Sequence, residues 1–248
     1  MKKIILSIAL IAATTTLFAQ KSFKVGLGGA FNSTWLINKH VSDAGDELDV
    51  AISWGGDFGL NTQFYFNENV GLSLGIMKSG HNQKYTGDID NGVGGTYTAE
   101  SKLKLRYIDI PLMLRLGGNE KGAYFEFGPQ FSFLGKATQE FEVDGISAPD
   151  YDAKDDYKSV TIGFVMGFGV DIKAGDSFTI NTGLRLGYMG DCAKEYGSEP
   201  ELSANEVGGI AYSSHFKDAD SSKEFDYQAT HRIFGGIFLG LVYTIPMK

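Results

Sequence analysis

A chain of 248 residues, 43% of them hydrophobic, is long enough for one large β domain or two small ones with a substantial core. Its 22 Lys and Arg against 30 Asp and Glu argue against nucleic acid as a partner, because a nucleic-acid binder carries a basic face. The single cysteine, Cys192, excludes an intrachain disulfide framework and a cysteine-based zinc cluster, and the lack of a series of long apolar runs excludes a helical membrane bundle.

Residues 1–19 read as a cleaved signal peptide. Lys2 and Lys3 supply the basic start, Ile4 to Ala13 the apolar stretch, and Ala19 the small residue before the cut. The stretch is too short for a stable anchor, and no cysteine follows to take a lipid. Residues 20–248 are then the mature domain, with 20 basic against 30 acidic side chains.

From residue 22 onward the dominant period is two. Ile52, Trp54, Phe58, Leu60, Phe64 and Phe66 alternate with Ser53, Gly55, Asp57, Gly59, Asn61, Gln63 and Tyr65. Val160, Ile162, Phe164, Met166, Phe168, Val170 and Ile172 repeat the pattern. A strand sends alternate side chains to opposite faces, so each segment has one apolar face and one small or polar face. Eight such segments are expected, roughly 23–35, 52–66, 70–79, 101–116, 123–136, 159–172, 178–188 and 229–245. Short connections (Asn67 to Asn69, Gly117 to Gly122, Lys173 to Ser177) alternate with long ones, the last running from Met189 to Gln228.

That asymmetry predicts an all-β, eight-stranded antiparallel up-and-down transmembrane β-barrel with long external loops and short periplasmic turns. The competing architecture is a soluble lipocalin-like barrel or sandwich with the apolar face inward. The second face argues for the membrane form: Gly55, Gly59, Gly71, Ser73, Gly75, Gly163, Gly167, Gly169, Gly183 and Gly187 suit a cramped interior better than a wet exterior. Trp35, Trp54, Phe64, Phe66, Tyr188 and Tyr243 lie near strand ends, where interfacial aromatics are expected.

The same parity turns Lys24, Asp57, Asp109, Arg115, Glu126, Asp171, Arg185 and Arg232 inward, four acids against four bases. Buried charges must be paired or their desolvation cost dominates. The expected role is a structural plug of ion pairs; the rival role is a proton or ion path. With Leu116 opposite Ala123, Met113 faces Glu126 and Arg115 becomes its diagonal neighbour, which predicts an Arg115–Glu126 pair. The same register sets Pro111 opposite Gly128 and Pro129 opposite Ile110. Apolar parity slips from odd (Leu103, Leu105, Tyr107) to even (Ile108 to Leu116), which predicts a bulge near Tyr107 with Lys102, Lys104 and Arg106 inward at the outer mouth.

Most acids fall in the four long connections, giving an acidic external cap able to collect divalent cations, to bridge lipopolysaccharide phosphates through them, or to recruit a basic partner. The segments Asp150 to Asp156 and Asp88 to Gly92 loosely resemble calcium loops, but neither has the full EF-hand spacing. His40, His81 and His215 fall in loops or at loop edges and His231 at the mouth of the last strand. Ser213 and Ser214 adjoin His215, yet adjacency does not assemble a nucleophile, base and oxyanion site. No catalytic, cofactor or metal residue is assigned, and Cys192 reads as a spare thiol in the longest loop.

Tyr107 to Leu116 reads YIDIPLMLRL, and Tyr124 to Leu134 reads YFEFGPQFSFL. This pair resembles the PorT-like outer-membrane β-barrel family of the Bacteroidota. So do the glycine-rich opening strand before Asn32 to Trp35 and the closing RIFGGIFLGLVYTI. The C-terminus departs from the usual terminal aromatic, since Thr-Ile-Pro-Met-Lys follows Tyr243. The resemblance implies an outer-membrane barrel without implying one activity; one branch belongs to the type IX secretion machinery. The expected protein is a monomeric, non-enzymatic outer-membrane barrel without cofactor, set among outer-membrane lipids and lipopolysaccharide, displaying acidic loops for binding or envelope stability. The rivals are a component of a secretion or other envelope complex with a protein partner, a lipid-modifying barrel enzyme, and a pore.

Overall fold

The computed structural model describes residues 22–39, 49–90, 94–119, 121–194 and 229–246. The expected signal segment, His40, Ser213, Ser214, His215 and most of the last long connection lie outside the described residues. Eleven strands form one antiparallel sheet: β1 (Ser22–Ile37), β2 (Asp49–Ala51), β3 (Trp54–Tyr65), β4 (Val70–Asp90), β5 (Thr96–Gly117), β6 (Gly122–Val143), β7 (Ile146–Ser147), β8 (Tyr151–Asp152), β9 (Val160–Ala174), β10 (Phe178–Asp191) and β11 (His231–Pro246). The expected eight-stranded up-and-down barrel with long external loops and short periplasmic turns is therefore corrected: eleven strands make up the sheet.

The long strands pair in the order β1, β3, β4, β5, β6, β9, β10, β11, and β11 pairs again with β1, so each has a hydrogen-bonded neighbour on both sides. β4, β5 and β6 run 21, 22 and 22 residues, about twice the 9–11 residues that cross a bilayer. They outrun their neighbours: β3 leaves β4 at Gly80, and β9 leaves β6 at Phe133. The three extra strands cover the edges so exposed, β2 pairing with Lys84 to Thr86 of β4, and β7 and β8 with the far end of β6. The expected long loop between the third and fourth segments thus shrinks to residues 91–95, because both strands continue into it.

The outward apolar band explains where the membrane stops. Leu72, Leu74, Ile76, Ile108, Leu112, Leu116, Phe58, Leu60, Phe164, Phe168, Leu184, Leu186, Ile237 and Leu239 are all exposed. An outer surface this apolar, around an inner face rich in buried polar groups, suits hydrocarbon and not water. Beyond Ile108 the polarity inverts. Lys84, Lys102, Lys104 and Arg106 occupy the outer face, while Tyr85, Leu103, Leu105 and Tyr107 are buried on the inner face. They join Leu36, Leu134, Ala137, Ala153, Tyr157 and Cys192 in one apolar cluster above the charged interior.

Odd positions of β5 remain buried from Ala99 to Arg115, so the parity slip expected there is a change of outside medium, not a turn of the strand. Lys102, Lys104 and Arg106 consequently face outward, contrary to the inward placement expected. The bulge does occur at Arg106/Tyr107, but its extra residue is Gly135: Arg106 pairs with Lys136 and Tyr107 with Leu134. Below it the register places Leu116 opposite Phe125, two residues from the expected alignment, and Pro111 opposite Gln130. The ladder lapses beside each proline, between Leu74/Leu112 and Met77/Asp109 on one side of β5 and between Pro111/Gln130 and Leu114/Phe127 on the other. Pairing on the two sides of Pro111 keeps one register, so neither proline needs a bulge.

Candidate functional site

Arg115 anchors the lower half of the interior. β5 and β6 bring it directly opposite Glu126, and its Nη1 donates to Glu126 Oε2 at 3.0 Å. Its Nη2 donates to Asp171 Oδ1 at 2.5 Å and its Nε to the Tyr65 hydroxyl at 2.7 Å, while its guanidinium lies 3.5 Å from the centre of the Tyr124 ring. Arg185 Nη2 donates to Glu126 Oε1 at 2.7 Å, and Asn181 Nδ2 donates to Asp171 Oδ1 at 2.6 Å. Lys24 Nζ stands 4.0 Å from Asp171 Oδ2 and donates to the Asn119 carbonyl, and the Tyr65 hydroxyl donates to the Gly118 carbonyl at 2.9 Å. The network thereby reaches the turn between β5 and β6. Gly118 is required there: its φ is +69°, and a Cβ would stand 2.8 Å from Asp171 Oδ2.

A second cluster lies above, at the rim of the apolar band. Arg232 Nη2 is 3.8 Å from Asp109 Oδ1 and donates to Ser132 Oγ at 2.8 Å, with the guanidinium 4.0 Å from the Tyr107 ring centre. His81 Nε2 meets Asp109 Oδ2 at 3.1 Å, and its Nδ1 meets Thr34 Oγ1 at 3.2 Å. Asn32 Nδ2 donates to Asp57 Oδ2 at 2.6 Å. Phe234 packs its ring 5.1 Å from that of His81 and lies across Gly187, where a Cβ would fall 2.2 Å from the phenyl ring. The glycines of the inner face thus make room for side chains that fill it.

Among the eight residues read as inward-facing, Lys24, Asp109, Arg115, Glu126, Asp171, Arg185 and Arg232 are at most 6% exposed. Asp57 is half-buried, with its Oδ1 shielded from solvent. Sequence reading missed His81 because it ended the third segment at residue 79; continued alternation through Gln83 and Tyr85 was the signal available. It also missed Tyr65, Tyr124 and Asn181, whose importance comes from cross-strand neighbours. Cys192 follows the end of β10, in the last long connection as expected, but its side chain is buried in the upper apolar cluster and its N–H donates to the Thr230 carbonyl at 2.8 Å. Burial pushes that thiol up to about 12. His231 begins β11 and stacks on Tyr188 at 5.3 Å.

The external face is charged but largely cross-linked. Glu100 pairs with both Lys84 and Lys102, Glu140 with Lys104, and Asp191 with Lys158. Those lysines hold the Glu100 carboxyl below its usual range, Lys102 contributing most. Glu100, Lys102, Glu140, Glu142, Ser147 and Asp150 line a groove between β6 and the β7 hairpin. Part of the expected acidic loop charge is therefore strand surface neutralised by lysine.

Residues 18–189 match a family model described as an outer membrane protein β-barrel domain. No curated protein matches the chain by sequence. Similar solved structures include the outer membrane protein OprG from Pseudomonas aeruginosa, at 12% identity over 93% of this chain and 99% of that one, with a TM-score of 0.39. The attachment invasion locus protein Ail of Yersinia pestis is similar at 10% identity over 90% and 99%, with a TM-score of 0.34. Neisserial surface protein A is similar at 11% identity over 89% and 96%, with a TM-score of 0.35.

Proposed function

We propose that this chain, which belongs to the outer membrane protein β-barrel domain family and lies in the outer membrane, is a non-enzymatic, non-conducting scaffold that holds a rigid binding platform outside the cell. The observation that carries this reading is the inversion of the faces above Ile108. Inside the extended strands an apolar cluster closes over the ion-paired interior, leaving little of what a channel needs. Outside, the same strands present ordered carboxylates and lysines, with the β6–β7 groove adding Glu142 and Asp150 to the lysine-paired Glu100 and Glu140. Such a groove suits divalent cations, and through them lipopolysaccharide phosphates. The YIDIPL and Gly-Pro strands support a place in the PorT-like branch of the Bacteroidota, with the protein acting as a monomer among outer-membrane lipids.

The test uses the protein purified in mild detergent and reconstituted. It should give no stepwise conductance in planar bilayers, and should bind magnesium-loaded lipopolysaccharide vesicles. The triple variant Glu142→Gln, Asp150→Asn, Ser147→Ala should bind them several-fold more weakly. Steady unitary conductance would return the protein to the pores, and equal binding by the variant would remove the groove from the function.

A further inference from the structure

We propose that half-buried Asp57 and buried His81 and Asp109 form an interior binding site for one divalent transition-metal ion of the zinc class. Their donor atoms all lie within 4.8 Å of one another, and they come from β3, β4 and β5, three adjacent strands paired in fixed register. One imidazole with two carboxylates is a donor set for zinc and its neighbours, whereas calcium and magnesium prefer oxygen alone. Zinc bonds of about 2.0–2.2 Å would draw the donors closer than 4.8 Å, which rotation of the Asp57 side chain can supply.

Three further observations point to a ligand there. Asp57 accepts from Asn32 through Oδ2, while its Oδ1 is buried with no hydrogen-bond partner. Ser79, only 1% exposed, sits directly opposite Asp57 on the inner face, two residues before His81, and its Oγ also lacks a partner. Among the described residues, Asp57 is the one interior acid of the four without a lysine or arginine ion pair. The Thr34 hydroxyl on His81 Nδ1 completes the arrangement: when Nδ1–H donates to it, the Nε2 lone pair is turned toward the two carboxylates. In that tautomer Nε2 and Asp109 Oδ2 face each other at 3.1 Å as two acceptors, a contact that a cation between them makes favourable. In the other tautomer Nε2–H donates to Asp109 and no ion is needed. The bound ion would tie β3, β4 and β5 together where the sheet leaves the membrane.

Untagged protein purified from outer membranes is unfolded in urea with chelator and refolded into detergent with ZnCl2 or CoCl2; bound metal is counted after dialysis. The expected result is about one zinc per chain, visible cobalt bands of tetrahedral type, and a thermal midpoint raised by metal. His81→Gln and Asp57→Asn should each abolish tight binding, and Thr34→Val should weaken it about 10–100-fold. A gel mobility shift on heating identifies the variants that have folded, and Asp57→Asn decides the matter if His81→Gln does not fold. Wild-type protein that retains no zinc, or zinc retained equally by folded Asp57→Asn and Thr34→Val variants, overturns the assignment; the second result places the ion on external carboxylates.

Discussion

Arg115 shows how a buried charge becomes tolerable. Its guanidinium, 1% exposed, meets two carboxylates, a tyrosine hydroxyl and an aromatic face at once, so the cost of leaving water is offset in every direction. Removing it takes one partner from Glu126 and one from Asp171 at the same time, although Glu126 keeps Arg185 and Asp171 keeps Lys24 and Asn181. Arg115→Met should therefore destabilise the protein by about 3–5 kcal/mol, the cost of breaking a buried pair on one side. The shift of the urea midpoint for unfolding from detergent measures it. The triple variant Arg115→Met, Glu126→Gln, Asp171→Asn should be less stable still, because it also takes the carboxylates from buried Arg185 and Lys24. A triple variant more stable than Arg115→Met would show that the two carboxylates cost more than their pairs with Arg185 and Lys24 return.

At the level of the strand, one alternation serves two solvents. β5 keeps its odd residues inside throughout, yet its outer face passes from Lys102, Lys104 and Arg106 to Ile108, Leu112 and Leu116. The boundary is set by where hydrocarbon ends, not by any bend in the chain. A charge placed in the lower stretch meets lipid, so Leu112→Arg should cost up to about 2–4 kcal/mol, the figure for a cation on the lipid face near the midplane. Lys104→Leu, eight residues earlier on the same face, should change stability by less than about 0.5 kcal/mol, the usual limit for surface substitutions. Equal effects of the two, read from unfolding midpoints, would displace the boundary. The bulge belongs to the same transition, since Gly135 lets β6 exchange its inward parity while β5 does not.

Across the whole molecule, an apolar cluster caps a polar interior, and Cys192 reports on the cap. Its thiol is raised from an ordinary 9.0 to about 12 because burial penalises the thiolate. The folded state therefore holds its proton more tightly than the unfolded state. Stability is unaffected below pH 9 and falls as pH rises from there toward 12. Thermal midpoints recorded from pH 8 to 11 should decline, and Cys192→Ala should flatten the first part of that decline. The buried hydroxyls of Tyr85 and Tyr157, also raised by burial, should keep the later part. Maleimide should modify Cys192 only after unfolding; rapid labelling of the folded protein at pH 8 would show that the cap opens.

Much of this design was legible in residue order. Alternation identified the strands through the apolar band and turned Lys24, Arg115, Glu126 and Asp171 to one face, because side-chain direction along a strand is a local property. Residue order did not reveal that β4 and β5 continue past residues 79 and 101. Outside the membrane both faces lose the contrast that hydrocarbon imposes, so the alternation persists without its hydropathic mark. Nor could it place His81 between Asp57 and Asp109, or set Arg115 squarely against Glu126. Those meetings depend on register between strands, which backbone pairing over long sequence distances decides. The sequence by itself thus determined a two-faced sheet suited to the outer membrane; the tertiary structure decided where lipid gives way to water and which buried charges meet.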